Sequence, residues 1–306
     1  VWFFKGQLVL NQEQNKKKRI SSGKKYFLGF IFYIFLLLGG VLLFFAHQYL
    51  NTPIADPGRE EIVSIPKGLS FDKIATKLQD RDIIKSAWKF RLLARIQKKA
   101  SKVQAGEFRL HTNWTAPRIL ETLTQGQAVL YKLSIPEGLP WWEVAGLVEK
   151  SGLSSYADFA FAIKNQSLLK KYNIPASTAE GYLFPETYHL PRPEDKDANL
   201  IVGFMLKEFW KQTRQNLWAA DPPDPDKLHR LVILASLIEK ETSIDHERAK
   251  IAGVFVNRLK RNMRLQCDPT IIYGMGKAYD GNITKKNLRN ADNAYNTYRD
   301  AGLPPG

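Results

Sequence analysis

A run of 25 residues without a charged side chain constrains this chain more than any other feature of its sequence. From Tyr26 to Leu50 there is no Asp, Glu, Lys or Arg, and Phe, Leu and Ile dominate. About 20 consecutive apolar residues are enough for a helix to cross the hydrocarbon core of a membrane. A buried helix of a water-soluble protein, in contrast, normally keeps a polar face. The run therefore predicts a transmembrane helix over residues 26–50.

The charges that precede this helix indicate its orientation. Residues 1–25 contain seven Lys and Arg against a single acid, Glu13. Because basic residues are retained on the cytoplasmic side, we expect residues 1–25 to form a cytoplasmic basic arm and the rest of the chain to lie outside. The alternative is a cleaved signal peptide. It is disfavoured because the apolar run exceeds the usual signal length and residues 47–50 offer no small-x-small cleavage site.

Composition excludes several classes of protein. Of 306 residues, 44% are hydrophobic, and Cys267 is the single cysteine, which excludes intrinsic disorder and a disulfide scaffold. The net charge is +15, of which the basic arm accounts for +6, leaving +9 outside. That excess suits an acidic extracellular polymer, although a merely solvated basic surface is the commoner reason for it. Nucleic acid is not expected as a partner, because it is not normally found across that membrane.

An internal similarity at an offset of 70 residues follows a turn-rich linker at residues 51–58. Residues 65–75 (IPKGLSFDKIA) match residues 135–145 (IPEGLPWWEVA). Each copy predicts a short strand, a Gly turn and a capped helix, with Ser70 as the cap in the first copy. The pattern resembles the opening of LysM glycan-binding modules, and a generic β-turn-α unit fits it equally well. We therefore interpret residues 51–150 as a LysM-like, membrane-proximal α/β region.

The most informative helix is predicted over residues 228–241. Apolar residues occupy nearly every face from Leu231 to Ile238, which predicts burial on more than one side, and Glu239 and Glu241 follow at its end. Apolar surroundings and the negative end of the helix dipole both raise the pKa of a carboxyl group. A carboxyl that keeps its proton is the general acid that cleavage of a glycosidic bond needs. A solvated helix end, or Arg partners for the two Glu, is the alternative, and the residues alone do not choose between Glu239 and Glu241.

Other catalytic signatures are missing from the sequence. There is no Gly-x-Ser-x-Gly and no His-Glu-x-x-His, and Gly274–Lys277 lacks the flanking residues of a phosphate-binding loop. The five His show no metal-ligand spacing, and Cys267 is interpreted as a small packed side chain. We predict neither a metal site nor an organic cofactor.

Six ordered segments resemble the YceG-like family of endolytic murein transglycosylases. They are 180–188 (EGYLFPETY), 235–242 (ASLIEKET), 254–259 (VFVNRL), 263–274 (MRLQCDPTIIYG), 294–298 (AYNTY) and 302–306 (GLPPG). The resemblance implies a lyase that cleaves the β-1,4 bond between N-acetylmuramic acid and N-acetylglucosamine in nascent peptidoglycan strands. It leaves a 1,6-anhydro-muramyl end, needs no cofactor and places the catalytic carboxyl at Glu241.

A single carboxyl group suffices for this reaction. It first gives its proton to the leaving oxygen and then takes one from the C6 hydroxyl of the same sugar, which closes onto C1. A hydrolase generally needs a second carboxylate. Asp268, Glu186 and Glu180 are available for that role, so a two-carboxylate muramidase stays an alternative.

Five polar residues within the matching segments are candidates for orienting the saccharide, although Asp268 followed by Pro269 equally suits a turn. They are Glu186, Gln266, Asp268, Tyr273 and Asn296. A non-catalytic peptidoglycan-binding scaffold that uses the LysM-like units is the alternative from another class.

The complete expectation is an α+β protein with one transmembrane helix, the LysM-like region and a mainly helical catalytic domain with some β structure at residues 151–306. Members of the family usually continue beyond the Leu-Pro-Pro-Gly motif, so the catalytic domain is expected to be truncated at Gly306. The resemblance implies the bacterial cytoplasmic (inner) membrane as the location, with the catalytic domain in the periplasm. The implied partners are glycan strands, that membrane and peptidoglycan synthases.

Overall fold

The computed structural model describes residues 2–55, 57–217 and 223–306, and only the backbone of residues 2–25. Its first helix, α1 (Trp2–Asn51), contains the apolar run. Tyr26–Asn51 is long and apolar enough to cross a membrane. Its most apolar 18-residue stretch has a mean hydropathy of 2.6, and none of that stretch is buried. The predicted apolar helix is therefore confirmed. The side chains of the predicted basic arm lie outside the described residues.

The chain divides into two compact units, of which the first ends at Ala128 and the second begins at Val129. The described residues of the first unit form, after α1, two strands and three α-helices. They are β1 (Glu60–Ile65), α2 (Phe71–Asp80), α3 (Ala87–Ile96), β2 (Gly106–His111) and α4 (Ala116–Gln125). β1 and β2 pair antiparallel from Glu60 opposite His111 to Ile65 opposite Gly106.

Apolar residues alternate along the strands and recur with helical periodicity along the helices. Together they form one core in this unit. The strands bury Val63, Ile65, Phe108 and Leu110 beneath the apolar faces of the helices. The end of α1 belongs to the same core, because Tyr49 and Leu50 pack against it. The predicted linker is bonded there as well, since the N–H groups of Ile54 and Ala55 both donate to the Thr112 carbonyl, each at 3.2 Å.

The second unit is mainly helical. Its elements are β3 (Tyr131–Ser134), α5 (Trp141–Lys150), α6 (Tyr156–Ala162), α7 (Gln166–Lys171), β4 (Thr187–Leu190), α8 (Ala198–Asn216), α9 (Pro225–Glu241), α10 (Asp245–Lys260), α11 (Asp268–Met275) and α12 (Lys285–Arg289). β3 and β4 pair antiparallel, from Tyr131 opposite Leu190 to Ser134 opposite Thr187. A main core surrounds Phe159 and Tyr182, and a small second core of Leu237, Phe255, Leu265 and Cys267 joins α9 to α10 and to the loop before α11.

Both copies of the internal similarity form the predicted strand, turn and helix. Gly68 and Gly138 occupy the turns with φ of 80° and 73°, a backbone region that favours glycine. Ser70 stands at the N-cap of α2 but makes no capping bond through its side chain. The first copy belongs to the first unit and the second copy to the second unit. The functional boundary expected at residue 150 stays a prediction. The division between the compact units falls after residue 128.

A mixed fold of helices and strands that is mostly helical is confirmed. The expected burial of α9 on more than one side holds in part, because Leu228 packs in the main core and Leu237 in the second core, while Leu231 is 42% exposed. One side of this helix packs against α10 and α11. The other side carries apolar residues because it forms the wall of an open cleft.

Candidate active site

A cleft of about 1080 Å³ lies within the second unit. Its walls are the turn between β3 and α5, one side of α9, the start of α11 and the chain end at Pro304–Gly306. Ligand sites are typically clefts of roughly 300–1,000 Å³ with a mostly apolar lining and a few placed polar groups. The cleft matches that description, since Val232 and Ile233 line it beside Glu180 and Glu239.

Glu180 is the carboxyl group whose protonation the fold changes most clearly. Burial raises its pKa to about 7, opposed by the hydrogen bond that it accepts from the Trp141 N–H at 3.1 Å. Trp141 is the first residue of α5, where backbone N–H groups have no partner within the helix. Gly181 lets this segment approach α9, because a Cβ at that position would lie 2.7 Å from the Val232 side chain. Glu180 is thus a cleft carboxyl that is protonated in part at neutral pH.

Glu239 also lines the cleft, and its pKa is raised. Partial loss of hydration is the main cause and the nearby Glu137 adds to it, whereas Arg248 and Lys240 oppose it. The prediction of a raised pKa at the end of α9 therefore holds at Glu239. The second copy of the repeat is close by, because the Lys240 Nζ donates to the Gly138 carbonyl at 3.3 Å.

Glu241 points elsewhere, since residues two apart on a helix project from nearly opposite sides. It is exposed, does not line the cleft, and contacts the residue that precedes α11. The Cys267 thiol donates to its Oε2 at 3.6 Å. Burial, followed by the charge of Glu241, raises the pKa of Cys267 to about 12, so the thiol keeps its proton. Cys267 is 2% exposed, which confirms its interpretation as a packed side chain.

Asp268 lies on the same side of the unit as Glu241. The Tyr298 hydroxyl donates to its Oδ1 at 2.5 Å. That bond, followed by burial, raises the pKa of Tyr298 to about 12, and the charges of Asp268 and Glu241 contribute. The charges of Asp268 and Glu241 also raise the pKa of Cys267. The structure thus brings two predicted site residues, Glu241 and Asp268, together around a neutral thiol and a neutral phenol; we call Glu241, Cys267, Asp268 and Tyr298 the Glu241 cluster.

Residues that neighbour the Glu241 cluster in the sequence line the cleft. Glu239 and Lys240 line the cleft directly before Glu241, and Pro269 and Thr270 line it directly after Asp268. The Thr270 hydroxyl donates to the Cys267 carbonyl at 2.7 Å, which holds the first turn of α11 against the cluster. The residues on either side of the cluster in the sequence therefore form part of the wall of the cleft.

Three other predicted site residues lie neither in the cleft nor in the Glu241 cluster. Glu186 is exposed at the start of β4, where its carboxylate accepts from the Thr187 N–H at 2.8 Å. Gln266 is exposed with φ of 54°, and its N–H donates to the Thr297 carbonyl. Asn296 is 1% exposed, and its amide donates to the carbonyls of Leu288 and Asn290. Its contacts therefore hold the loop after α12.

Tyr273 lines the cleft as part of an aromatic group that sequence reasoning missed. Its ring lies 5.0 Å from Trp142 and 4.8 Å from Tyr295, measured between ring centroids. All three residues line the cleft, and we call them the aromatic shelf. Burial followed by the charge of Glu180 raises the pKa of Tyr273, so its phenol stays neutral. The sequence signal for this group was the pair of aromatic residues at the start of α5, because the first copy has only one aromatic residue at the matching positions.

Comparison with known proteins identifies the family. The YceG-like family matches residues 63–306. An endolytic murein transglycosylase of Bacillus subtilis is 31% identical over 290 residues, which cover 89% of this chain and 78% of that protein. An endolytic murein transglycosylase of Streptococcus pneumoniae is 28% identical over 322 residues, which cover 94% of this chain and 57% of that protein. The crystal structure of a YceG-like protein from Listeria monocytogenes is 31% identical, covering 81% of this chain and 85% of that one with a TM-score of 0.49. Because the match extends over most of its length, this chain belongs to the YceG-like family.

Proposed function

We propose that this chain is an endolytic peptidoglycan lytic transglycosylase. Its relatives in Bacillus subtilis and Streptococcus pneumoniae are named endolytic murein transglycosylases, and the match covers 78% of the former. The observation that carries the proposal is the Glu241 cluster beside residues that line a cleft of about 1080 Å³. An exposed carboxyl on a rigid helix end is accessible to a polymer that also occupies the cleft.

Glu241 is the proposed acid and base. It protonates the oxygen that leaves C1 of N-acetylmuramic acid as the β-1,4 bond breaks and an oxocarbenium-like centre forms. The resulting carboxylate then takes the proton of the C6 hydroxyl while O6 bonds to C1. No water is consumed, and Glu241 ends in its starting form. The Cys267 thiol, which keeps its proton, donates to the carboxylate that exists between the two transfers.

A two-carboxylate muramidase is the second candidate, and the position of Asp268 favours it. The charges of Asp268 and Glu241 both raise the pKa of the Cys267 thiol and of the Tyr298 phenol, so a second carboxylate is available near the first. The two reactions differ in their products. Hydrolysis in ¹⁸O-labelled water introduces the label at the new reducing end, whereas transglycosylation leaves unlabelled anhydro ends.

The location forms part of the same proposal. We place Tyr26–Asn51 across the bacterial cytoplasmic membrane with the N-terminus inside, because basic residues precede it, and the chain after Asn51 in the periplasm. Residues 151–306 carry the catalytic domain. The β-turn-α copies within residues 51–150 act as LysM-like glycan contacts, and the enzyme works beside peptidoglycan synthases on nascent strands. A non-catalytic scaffold would keep the glycan binding without the cleavage.

The test uses the full chain in lipid nanodiscs with purified glycan strands and mass spectrometry of the products. Glu241→Gln should lower the rate at which anhydro-muramyl ends form by roughly 10³-fold, because a positioned acid and base contributes about 10²–10⁴-fold. Glu239→Gln, two residues away on the same helix, is the matched control and should stay within about tenfold of wild type.

Thermal unfolding of both variants shows whether they are folded. If Glu241→Gln retains activity while Glu239→Gln or Glu180→Gln abolishes it, the assignment of Glu241 is wrong. If wild type binds strands and yields no new ends, the scaffold is the better description.

A further inference from the structure

An apolar stripe runs along the exposed side of α3 in the first unit. Trp88, Leu92 and Ile96 are 60%, 47% and 70% exposed, and their spacing of four residues aligns them on one side of the helix. The opposite side packs into the core through Phe90 and Leu93. Three large apolar side chains aligned on a surface in this way indicate a site of interaction.

The charged residues of α3 and of its flanking segments are all basic. Residues 83–106 contain seven Lys and Arg and no Asp or Glu. One of them, Arg91, pairs with Asp72 of α2 at 3.7 Å. Lys85, Arg95 and Lys98 are exposed. An amphipathic helix with aromatic and aliphatic residues on one side and cations beside them is typical of segments that lie in the interface of an anionic membrane.

The stripe is continuous with the end of the apolar run in α1. The Tyr49 hydroxyl donates to the carbonyl of Ser86, the N-cap of α3, at 3.4 Å. The Lys89 ammonium lies 5.4 Å from the centre of the Tyr49 ring and 5.9 Å from that of Trp88. A helix that begins beside the last turn of a membrane span starts at the height of the lipid headgroups, where Trp and Tyr concentrate.

We infer that α3 is a second membrane contact, which inserts Trp88, Leu92 and Ile96 into the interface of the outer leaflet and places its cations on anionic headgroups. The inference rests on the proposed membrane span of α1 and is independent of the proposed chemistry. It fixes the height of the first unit above the bilayer, so α1 and α3 together hold the unit at two points.

The experiment places a fluorophore at single cysteines of the full chain, with Cys267 replaced by Ser, in vesicles of phosphatidylglycerol and phosphatidylethanolamine. Labelled positions are Leu92→Cys and Ile96→Cys, with Lys73→Cys on the exposed surface of α2 as the matched control. Leu37→Cys within α1, tested with a quencher at the end of the lipid acyl chains, is the reference for insertion. Lipids with a quencher near the headgroup should reduce emission from positions 92 and 96 at least about twofold more than from position 73. Replacing phosphatidylglycerol by phosphatidylcholine should weaken that quenching.

Each other outcome overturns the inference in a distinguishable way. If position 37 is quenched and positions 92 and 96 respond like position 73, the contact by α3 is wrong and the membrane span stands. If position 37 is not quenched, the span itself is wrong. Equal quenching in phosphatidylcholine overturns the role of anionic headgroups. Self-quenching that grows with the ratio of protein to lipid, without a response to quencher lipids, assigns the stripe to a second copy of the chain.

Discussion

The two β-turn-α copies share a backbone but differ in what the starts of their helices contact. In the first copy the ring of Phe71 stacks on Phe90 of the core, with ring centroids 5.6 Å apart. In the second copy the matching residue, Trp141, donates its N–H to Glu180, and the next residue, Trp142, joins the aromatic shelf. One copy thus builds a core while the other builds a cleft, which shows that a supersecondary unit does not by itself determine a role.

The largest expected effect concerns Glu180, whose carboxyl accepts a hydrogen bond from the start of the helix in the second copy. Its pKa is raised in the folded protein, so the folded state holds a proton that the unfolded chain releases from about pH 4.5 upwards. Stability should therefore fall as pH rises towards 7, by on the order of 2–3 kcal/mol, and level off above it. Glu180→Gln keeps an acceptor for the Trp141 N–H and cannot ionise, so it should lose this fall and exceed wild type in stability at pH 8.

Unfolding midpoints of the full chain in detergent at pH 5 and pH 8 measure this effect. Glu186→Gln, an exposed substitution in the same segment, is the control and should follow wild type at both values. If Glu180→Gln also follows wild type, the carboxyl is hydrated and the second copy does not bury it.

Sequence periodicity predicted both copies and the apolar run because those features are local. The pairing of β3 with β4 was not predictable, since it joins residues more than 50 positions apart. The burial of α9 was predictable only in part, because apolar residues that line an open cleft give the same sequence pattern as residues that face a core. Within the site, Glu241, Asp268 and Tyr273 were predicted from the sequence. The grouping of Tyr273 with Trp142 and Tyr295 was not, because it depends on how α5, α11 and the loop after α12 pack.

The glycines in the two turns offer a smaller and more specific contrast. Both have positive φ, so Gly68→Ala and Gly138→Ala should each cost about 1–2 kcal/mol of stability through backbone strain. A Cβ at position 68 meets no atom within 4 Å, whereas one at position 138 lies 3.7 Å from a carboxylate oxygen of Glu239. We therefore expect equal shifts of the unfolding midpoint, and a loss of glycan cleavage of no more than about tenfold in Gly138→Ala alone, because only position 138 lines the cleft. Equal losses of cleavage would mean that the first copy also shapes the site.

The smallest effect is expected from replacing Trp142, and the control is the same replacement at its counterpart in the first copy, Asp72. Trp142→Ala removes the central contact of the aromatic shelf with Tyr273, and an aromatic contact contributes about 0.5–1.5 kcal/mol beyond its buried area. If the shelf supports a sugar ring, kcat/KM for glycan strands should fall roughly tenfold through KM, because about 1.4 kcal/mol of binding is lost. Asp72 is exposed and pairs with Arg91 on the surface, so Asp72→Ala should leave both constants unchanged. A fall in kcat with KM unchanged would instead place the shelf against the reacting bond, which would move the catalytic centre from the Glu241 cluster into the cleft beside Glu180.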